Sequence, residues 1–358
     1  IYRNDLVAST QGRSFWILND LGPLRQMSAE AASAPSWLFV PAPAYLFGGP
    51  VGGGRNTGAN PAAGALISYR LAKEPGSKEE ITLEILDEKG AKIRTFSSVK
   101  DADAEDAGAG SDDEGGPGRR GGARLLPAKA GLNRFAWDLR CPDATRFKDL
   151  VLWGGGLEGP AVVPGRYQVR LTAGGRTQTR SFEVRKDPRL ATTAADYQKR
   201  FELHLKIRDK LSETHESITR LREVRDQVMA VADRAKPLAR DSSIAVAART
   251  LNEKLTRVEE ALYQTKNKSS QDPLNYPIRL NNKLSNLTGV ISGADAPPTE
   301  QAYAVYEDVA GQIDAQLVKL KTLLNEELGA FNRLVKENDI PAVVVKQKKE
   351  PGREMPAP

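Results

Sequence analysis

The residues in this sequence that could take part in acid–base, metal or thiol chemistry are few and widely spaced. The chain has two histidines, His204 and His215, and one cysteine, Cys141. The histidines are eleven residues apart, which on one helix is about 16 Å and too far for both to bind one metal ion. The Cys141 thiol would need a basic partner to act as a nucleophile, and both histidines lie in a distant helical stretch. We therefore nominate no catalytic, cofactor-binding or metal-binding residue, and we expect no cofactor.

Two segments contain residues typical of phosphate or calcium loops, but their spacing fits neither. "GGPVGGGRNTG" lacks the G-K-[ST] ending that places a lysine on a phosphate. "DADAEDAGAGSDDE" has Asp106 where a calcium loop needs glycine and Asp112 where it needs glutamate. Neither segment has apolar residues to bury, so we interpret 48–64 and 98–123 as disordered insertions.

Two tryptophans are candidates for an aromatic platform on which a sugar could stack. Trp137 alternates with Phe135 in "RFAWDL", so both are expected on one buried face. Trp153 is followed by three glycines, and we take it as the one candidate ligand-facing aromatic residue, with ordinary packing as the alternative.

The charge balance argues against a nucleic-acid partner. The 358 residues include 52 basic and 46 acidic side chains, a formal charge of +6. The two signs alternate along the helical stretches instead of forming a basic stripe, which is typical of a solvated surface. No apolar run reaches the roughly 18 residues of a membrane span.

The first half of the chain has the pattern of a β protein. "LVAST" and "SFWIL" flank a turn at Gly12 and predict a hairpin within 1–27. Short strand patterns then recur over 37–187; Ile81, Leu83 and Ile85 are expected on one face, with Leu86 on the other. Tyr167 begins a similar alternation. Because no helical pattern separates these strands, we predict an antiparallel β-sandwich.

The second half, 193–337, has the pattern of long helices. Apolar residues recur at heptad spacing in four stripes that are broken by proline-containing segments, and Thr299 is positioned to cap the last helix. His204 falls on the first stripe and is expected to be partly buried, whereas His215 is expected to be exposed. Narrow stripes need partners, so we predict an antiparallel helical bundle followed by a tail at 341–358. The members of the four stripes are Ile207, Leu211, Thr214, Ile218, Leu221, Arg225 and Val228; Ile244, Ala248, Leu251, Leu255, Val258 and Leu262; Ile278, Leu280, Leu284 and Leu287; and Val305, Val309, Ile313, Leu317, Leu320, Leu324, Leu328, Phe331 and Val335.

The opening hairpin resembles the blade-closing strands of bacterial BNR-repeat, sortilin-like β-propeller proteins, which are often labelled glycosyl hydrolases. The matching residues are Asp5, Leu6, Gly12, Arg13, Ser14, Phe15, Trp16 and Asp20. Gln11 replaces a common histidine, and Asn19 replaces one of two acids, so we assign Asp20 to a turn. "AGLNRFAWDLR" with "PGRYQVRLTAGG" resembles the immunoglobulin-like domain that follows such propellers, as in hook-capping proteins, and "DPLNYPIRLNNKL" resembles their helical region.

The resemblance implies that 1–27 is the last part of an incomplete propeller, and that the chain lies outside the cytoplasm, secreted or periplasmic. The absence of a catalytic constellation in the sequence, together with the sandwich-plus-bundle organisation, favours a non-catalytic interaction or scaffold region. Its partners would be the rest of its own propeller and a protein or carbohydrate ligand. The alternative is part of a glycoside hydrolase whose active site lies in the missing propeller. A third hypothesis is coiled-coil self-association through the long helices.

Overall fold

The computed structural model describes residues 4–47, 62–76, 79–99, 125–236 and 242–340. Strands dominate the first half of the chain and helices the second, as expected for a multidomain protein with β and α parts. We refer to residues 36–187 as the β region and to residues 194–337 as the helical region.

Most of the predicted insertions and the whole predicted tail lie outside the described residues. Of the insertions, only 62–64 and 98–99 belong to the described ranges. The expectation of disorder in these segments stays a prediction.

Among the described residues, the strands form three sheets. They are β1 (Leu6–Ser9), β2 (Phe15–Leu18), β3 (Ser36–Leu38), β4 (Ala44–Leu46), β5 (Ala65–Leu71), β6 (Thr82–Asp87), β7 (Lys92–Ser97), β8 (Gly131–Trp137), β9 (Gly165–Ala173) and β10 (Arg176–Lys186). β1 and β2 form a two-stranded sheet of their own, the second sheet has the order β4-β10-β9-β6-β7, and the third has the order β3-β5-β8. Most pairs are antiparallel, but β4 pairs parallel with β10, which the hairpin pattern did not predict.

The two larger sheets share one buried core. Leu38 and Ile67 enter it from the three-stranded sheet and Leu83 and Val169 from the five-stranded sheet, and all four are fully buried. Trp137 is also fully buried, so its predicted place in the core is confirmed.

The predicted alternation along β6 is confirmed for the face that enters the core. Ile81, Leu83 and Ile85 are buried there as expected. Leu86, expected on the opposite face, is also buried, but it does not belong to the core that the two larger sheets share. The register of β6 with β7 shifts at this point and skips Ile93 of β7, whereas the pairing of β6 with β9 is continuous.

The described part of the helical region contains two very long helices and two shorter ones. The α-helices among the described residues are α1 (Gly22–Arg25), α2 (Ala29–Ser33), α3 (Ala194–Ala235), α4 (Ser242–Leu262), α5 (Leu280–Ser292), α6 (Glu300–Thr322) and α7 (Leu328–Glu337). A π-helical turn at Leu323–Glu327 joins α6 to α7, so the helix is continuous from Glu300 to Glu337.

The long helices begin at capped residues. Thr193 and Asp196 form a capping box at the start of α3, in which each side chain accepts a hydrogen bond from the other residue's backbone N–H. Thr299 accepts a hydrogen bond from the Ala302 N–H, so the predicted cap of α6 is confirmed.

Contacts between helices fix their directions. Asn281 and Asp295 contact His215 and Arg200 respectively, so α5 runs antiparallel to α3. α4 also runs antiparallel to α3, because α4 begins at Ser242, shortly after α3 ends at Ala235, and Glu259 near its far end pairs with Arg222, well before the end of α3. α4 and α5 therefore follow one another along α3, separated by the segment 263–279.

The predicted apolar stripes are mostly confirmed. On α3 and α4 every apolar member is buried, as is Thr214, whereas Arg225 is only partly buried. Ile278 precedes α5 and is half-buried. Val305 is exposed, so its assignment to the fourth stripe is wrong; it lies near the start of α6, where the neighbouring Tyr303 and Tyr306 pack on the core instead.

Candidate functional site

A loop of the β region, residues 141–160, is inserted into the helical region. It contacts the buried polar side chains His215 and Asn282. We call it the docking loop. An isolated bridge between Arg140 and Ala161 closes its base. Its Ala144, Phe147 and Leu150 are buried in the same hydrophobic core as α3, α4 and α5. The loop therefore links the β region to the helical region through apolar burial.

The loop lies beside the segment that connects α4 to α5, since it contacts Tyr263 and Asn282 at the two ends of that segment. Phe147 makes edge-to-face contacts with His215 and Tyr263, with ring centroids 5.1 and 5.0 Å apart. The Tyr263 hydroxyl donates to the Asp149 carbonyl at 3.0 Å. The loop therefore contacts α3 through His215 and the end of α4 through Tyr263, the residue that follows Leu262.

His215 lies at the centre of this contact and is fully buried, so the expectation that it is exposed is wrong. Its Nδ1 donates to the Thr145 carbonyl at 2.6 Å, and its Nε2 then accepts from the Asn281 amide at 3.2 Å. This arrangement requires a neutral ring. Burial lowers the pKa of His215 to about 4, and no charge on this ring is expected at neutral pH.

Asn282 fixes the far end of the docking loop. Its Oδ1 accepts from the Trp153 N–H at 2.8 Å, and its Nδ2 donates to the Trp153 carbonyl at 2.9 Å. Asn282 is buried, and both hydrogen bonds are partly buried. Gly155 follows closely: a Cβ there would lie 2.0 Å from the Ser285 hydroxyl oxygen. Only glycine allows the loop to approach α5 this closely.

Trp153, the predicted ligand-facing aromatic residue, is held by its backbone while 37% of the residue is exposed. The residue is therefore partly accessible, and its backbone is held by Asn282. Its role as a carbohydrate platform stays a prediction.

A buried carboxylate lies beside the docking loop. Glu259 accepts from Arg222 at 2.6 Å and from Arg225 at 2.5 Å, and its side chain is 3% exposed. The Arg222 guanidinium also lies over the Phe147 ring, 4.7 Å from its centroid. Two arginines around one buried acid compensate its desolvation, which explains why a charged residue occupies position 225 of the predicted stripe.

A separate cavity of about 90 Å³ lies at the junction of the β region and the helical region. It is lined by Arg140 of the β region and by Arg200, His204 and Asp295 of the helical region. Arg200 pairs with Asp295 at 2.5 Å. The His204 Nε2 donates to the Glu158 carbonyl at 3.1 Å. Burial and the nearby Arg140 charge lower the pKa of His204 to about 4.

The isolated reactive residues are structural in this geometry. Cys141 is buried, and burial raises the pKa of its thiol, which opposes formation of a thiolate nucleophile. His204 is buried as expected, and within the described ranges no three His, Cys, Asp or Glu side chains are grouped to hold a metal ion. In the same ranges no helix is long and apolar enough to cross a membrane.

The β1–β2 hairpin is fixed at its base and exposed along its strands. Arg134 of β8 donates to the Asn19 and Asp20 carbonyls at 2.9 and 3.0 Å. The Asp20 carboxylate accepts from the Gly22 N–H and from the Asn4 amide, which confirms a turn role for Asp20. The strands themselves expose apolar side chains on both faces, namely Leu6, Val7, Phe15, Trp16, Ile17 and Leu18.

No model of a known protein family matches the chain, and no curated protein matches its sequence.

Sequence reasoning placed His215 wrongly at the surface and did not single out Asn281 or Asn282. One signal was available for Asn281. Asn281 stands four residues before Ser285 and seven before Thr288, which is the spacing of one face of a helix. This polar row on α5 lies next to the apolar row of Leu280, Leu284 and Leu287, and its three side chains are buried. Buried polar side chains are normally hydrogen-bonded, so a polar row beside a buried apolar row indicates that partners are present, either in the same helix or in another segment. No sequence signal identified that segment as the docking loop.

Proposed function

We propose that this chain is a non-catalytic interaction and scaffold region that follows a β-propeller of the BNR-repeat, sortilin-like type outside the cytoplasm. In this proposal the β region is an immunoglobulin-like sandwich and the helical region is an antiparallel bundle. The support for this family comes from the residues that resemble it, since no family model matches the chain.

The β1–β2 hairpin is the observation that carries the proposal. It pairs with no other strand among the described residues, and Trp16 is 64% exposed. A lone two-stranded hairpin is marginally stable in water, and exposed apolar strands with free edges favour pairing with further strands. A propeller blade supplies such strands on the hairpin's edges and apolar packing on its faces.

The anchoring of the hairpin supports a scaffold role. Arg134 and the Asp20 turn attach the hairpin base to β8, and the docking loop attaches the β region to the helices. A propeller that incorporated the hairpin would therefore be attached to the β region and, through the docking loop, to the helical region. In this proposal the partly exposed Trp153 contacts a protein or carbohydrate ligand.

The test compares amide hydrogen exchange of this chain with that of a longer chain that includes the upstream sequence of its gene. We expect the amides of Leu6–Ser9 and Phe15–Leu18 to exchange at least about tenfold more slowly in the longer chain, because blade strands protect them. The amides of Lys92–Ser97, in β7, serve as the control and should be unchanged.

Equal exchange of the hairpin amides in both chains would contradict the proposal. Hydrolysis of glycosides by the longer chain would favour the alternative, in which the parent protein is a glycoside hydrolase with its active site in the propeller.

A further inference from the structure

The junction cavity has an excess of positive charge. Arg200 is compensated by Asp295, and their side chains are only 12% and 13% exposed. Within the described part of the chain, the Arg140 guanidinium has no carboxylate partner, and its one hydrogen bond is from Nη1 to the Gly159 carbonyl at 2.9 Å. The Asp138 carboxylate accepts only from the Arg140 backbone N–H, at 3.2 Å. A guanidinium has five N–H donors, so Arg140 retains donors for another acceptor.

The other groups around the cavity do not neutralise this charge. His204 is neutral near pH 7, and its Nε2 proton is used by the Glu158 carbonyl. Phe201, Pro160 and Ala161 provide apolar walls. An arginine beside apolar walls is less hydrated than one in water, which strengthens its attraction for an anion.

The size of the cavity restricts what it can hold. A volume of about 90 Å³ accommodates several waters or one small ion. It is well below the roughly 300 Å³ at which pockets for larger organic ligands begin.

We propose that the junction cavity is a binding site for one small oxyanion, a phosphate or a carboxylate, held by Arg140 with a second contact from Arg200. The planar guanidinium of Arg140 matches two oxygens of either anion. Because the cavity is lined from both sides, a bound anion would strengthen the contact between the β region and the helical region. The proposal is independent of the proposed function and of any propeller.

The test is isothermal titration calorimetry of the full chain with sodium phosphate and with sodium acetate, in chloride buffer at constant ionic strength. We expect one anion per chain. Arg140→Gln should weaken binding at least about tenfold, since a hydrogen bond to a charged group is lost. Arg166→Gln removes the same charge from an exposed position on β9 and should leave the affinity unchanged.

A second variant separates loss of the site from loss of the fold. Ala161→Met places a larger apolar side chain in the cavity wall without changing the charge, and should also abolish binding. Circular dichroism checks that each variant is folded. Binding of phosphate alone would identify a phosphate site, and binding of acetate as well would identify a general oxyanion site.

The proposal would be overturned by the absence of saturable binding to the wild-type chain. Equal affinities of the Arg140→Gln and Arg166→Gln variants would also overturn it, as would undiminished binding by Ala161→Met.

Discussion

At the residue scale, the two buried histidines make the free energy of unfolding depend on pH. His204 and His215 both accept or donate hydrogen bonds as neutral rings, and burial holds the pKa of each near 4. In the unfolded chain their pKa values return to about 6.5. The unfolded chain therefore takes up protons first as the pH falls.

We predict that the free energy of unfolding is fully maintained above pH 6.5 and falls as the pH is lowered from 6.5 towards 4. The loss should be on the order of 2 to 3 kcal/mol for each histidine. The lowered pKa of Asp187, about 2, acts below this window. Urea midpoints measured between pH 7 and pH 4.5 test the prediction.

His215→Asn provides the comparison for that measurement. An asparagine amide can still donate to the Thr145 carbonyl, but it does not titrate. The variant should be less stable at pH 7 and should lose less stability on acidification. An identical loss in both proteins would show that His215 does not titrate on unfolding.

Asn282 allows a second prediction at this scale. Asn282→Ala removes both hydrogen bonds to the Trp153 backbone and leaves the N–H and the carbonyl of Trp153 without these partners. We expect a loss of about 1 to 3 kcal/mol in urea denaturation. Asn275→Ala, at an exposed position, should change stability by less than about 0.5 kcal/mol. Similar midpoints for the two variants would mean that the loop is not held by Asn282.

At the scale of the element, α3 shows how a heptad pattern sets burial. Leu221 lies on the stripe between Ile218 and Val228 and is fully buried, whereas Glu223, two residues along, is exposed. Both residues have high helix propensity, as does alanine, so replacement by alanine tests side-chain packing rather than helix formation.

We predict that Leu221→Ala lowers the free energy of unfolding by about 2 to 5 kcal/mol, because it leaves a cavity in the core. Glu223→Ala should cost less than about 0.5 kcal/mol. The urea midpoints of the two full-length variants measure the contrast. Equal shifts would show that the assigned register of α3 is wrong.

At the scale of the whole molecule, the exposed hairpin stands apart from two regions that are joined by the docking loop. The six apolar residues of β1 and β2 are each at least 40% exposed. Large exposed apolar patches mark sites of association or of aggregation. The structure therefore predicts that the hairpin is the most solvent-accessible apolar surface among the described elements.

We predict that Trp16 in this chain emits like a tryptophan in water. The difference between the fluorescence of the wild-type chain and that of Trp16→Phe isolates its signal from those of Trp37, Trp137 and Trp153. The difference spectrum should be red-shifted and should be quenched by acrylamide. A blue-shifted signal resistant to quenching would show that the hairpin packs on another surface, including that of a second copy.

The sequence alone determined those features that depend on local periodicity. The stripe through Ile207, Leu211 and Ile218 located α3, and Thr299 marked the start of α6, because helix spacing and capping involve residues only a few positions apart. The alternation around Leu83 located β6 for the same reason.

Only the tertiary structure decided which residues far apart in the chain meet. The docking loop has no periodic pattern, and its burial depends on Tyr263 and Asn282, more than a hundred residues away. The sequence pattern placed His215 in solvent, but Phe147 and Thr145 of the docking loop cover it in the structure. The parallel pairing of β4 with β10 and the junction cavity around Arg140 likewise arise from contacts between distant segments. Such contacts depend on how the elements pack in three dimensions, and local sequence patterns do not encode that packing.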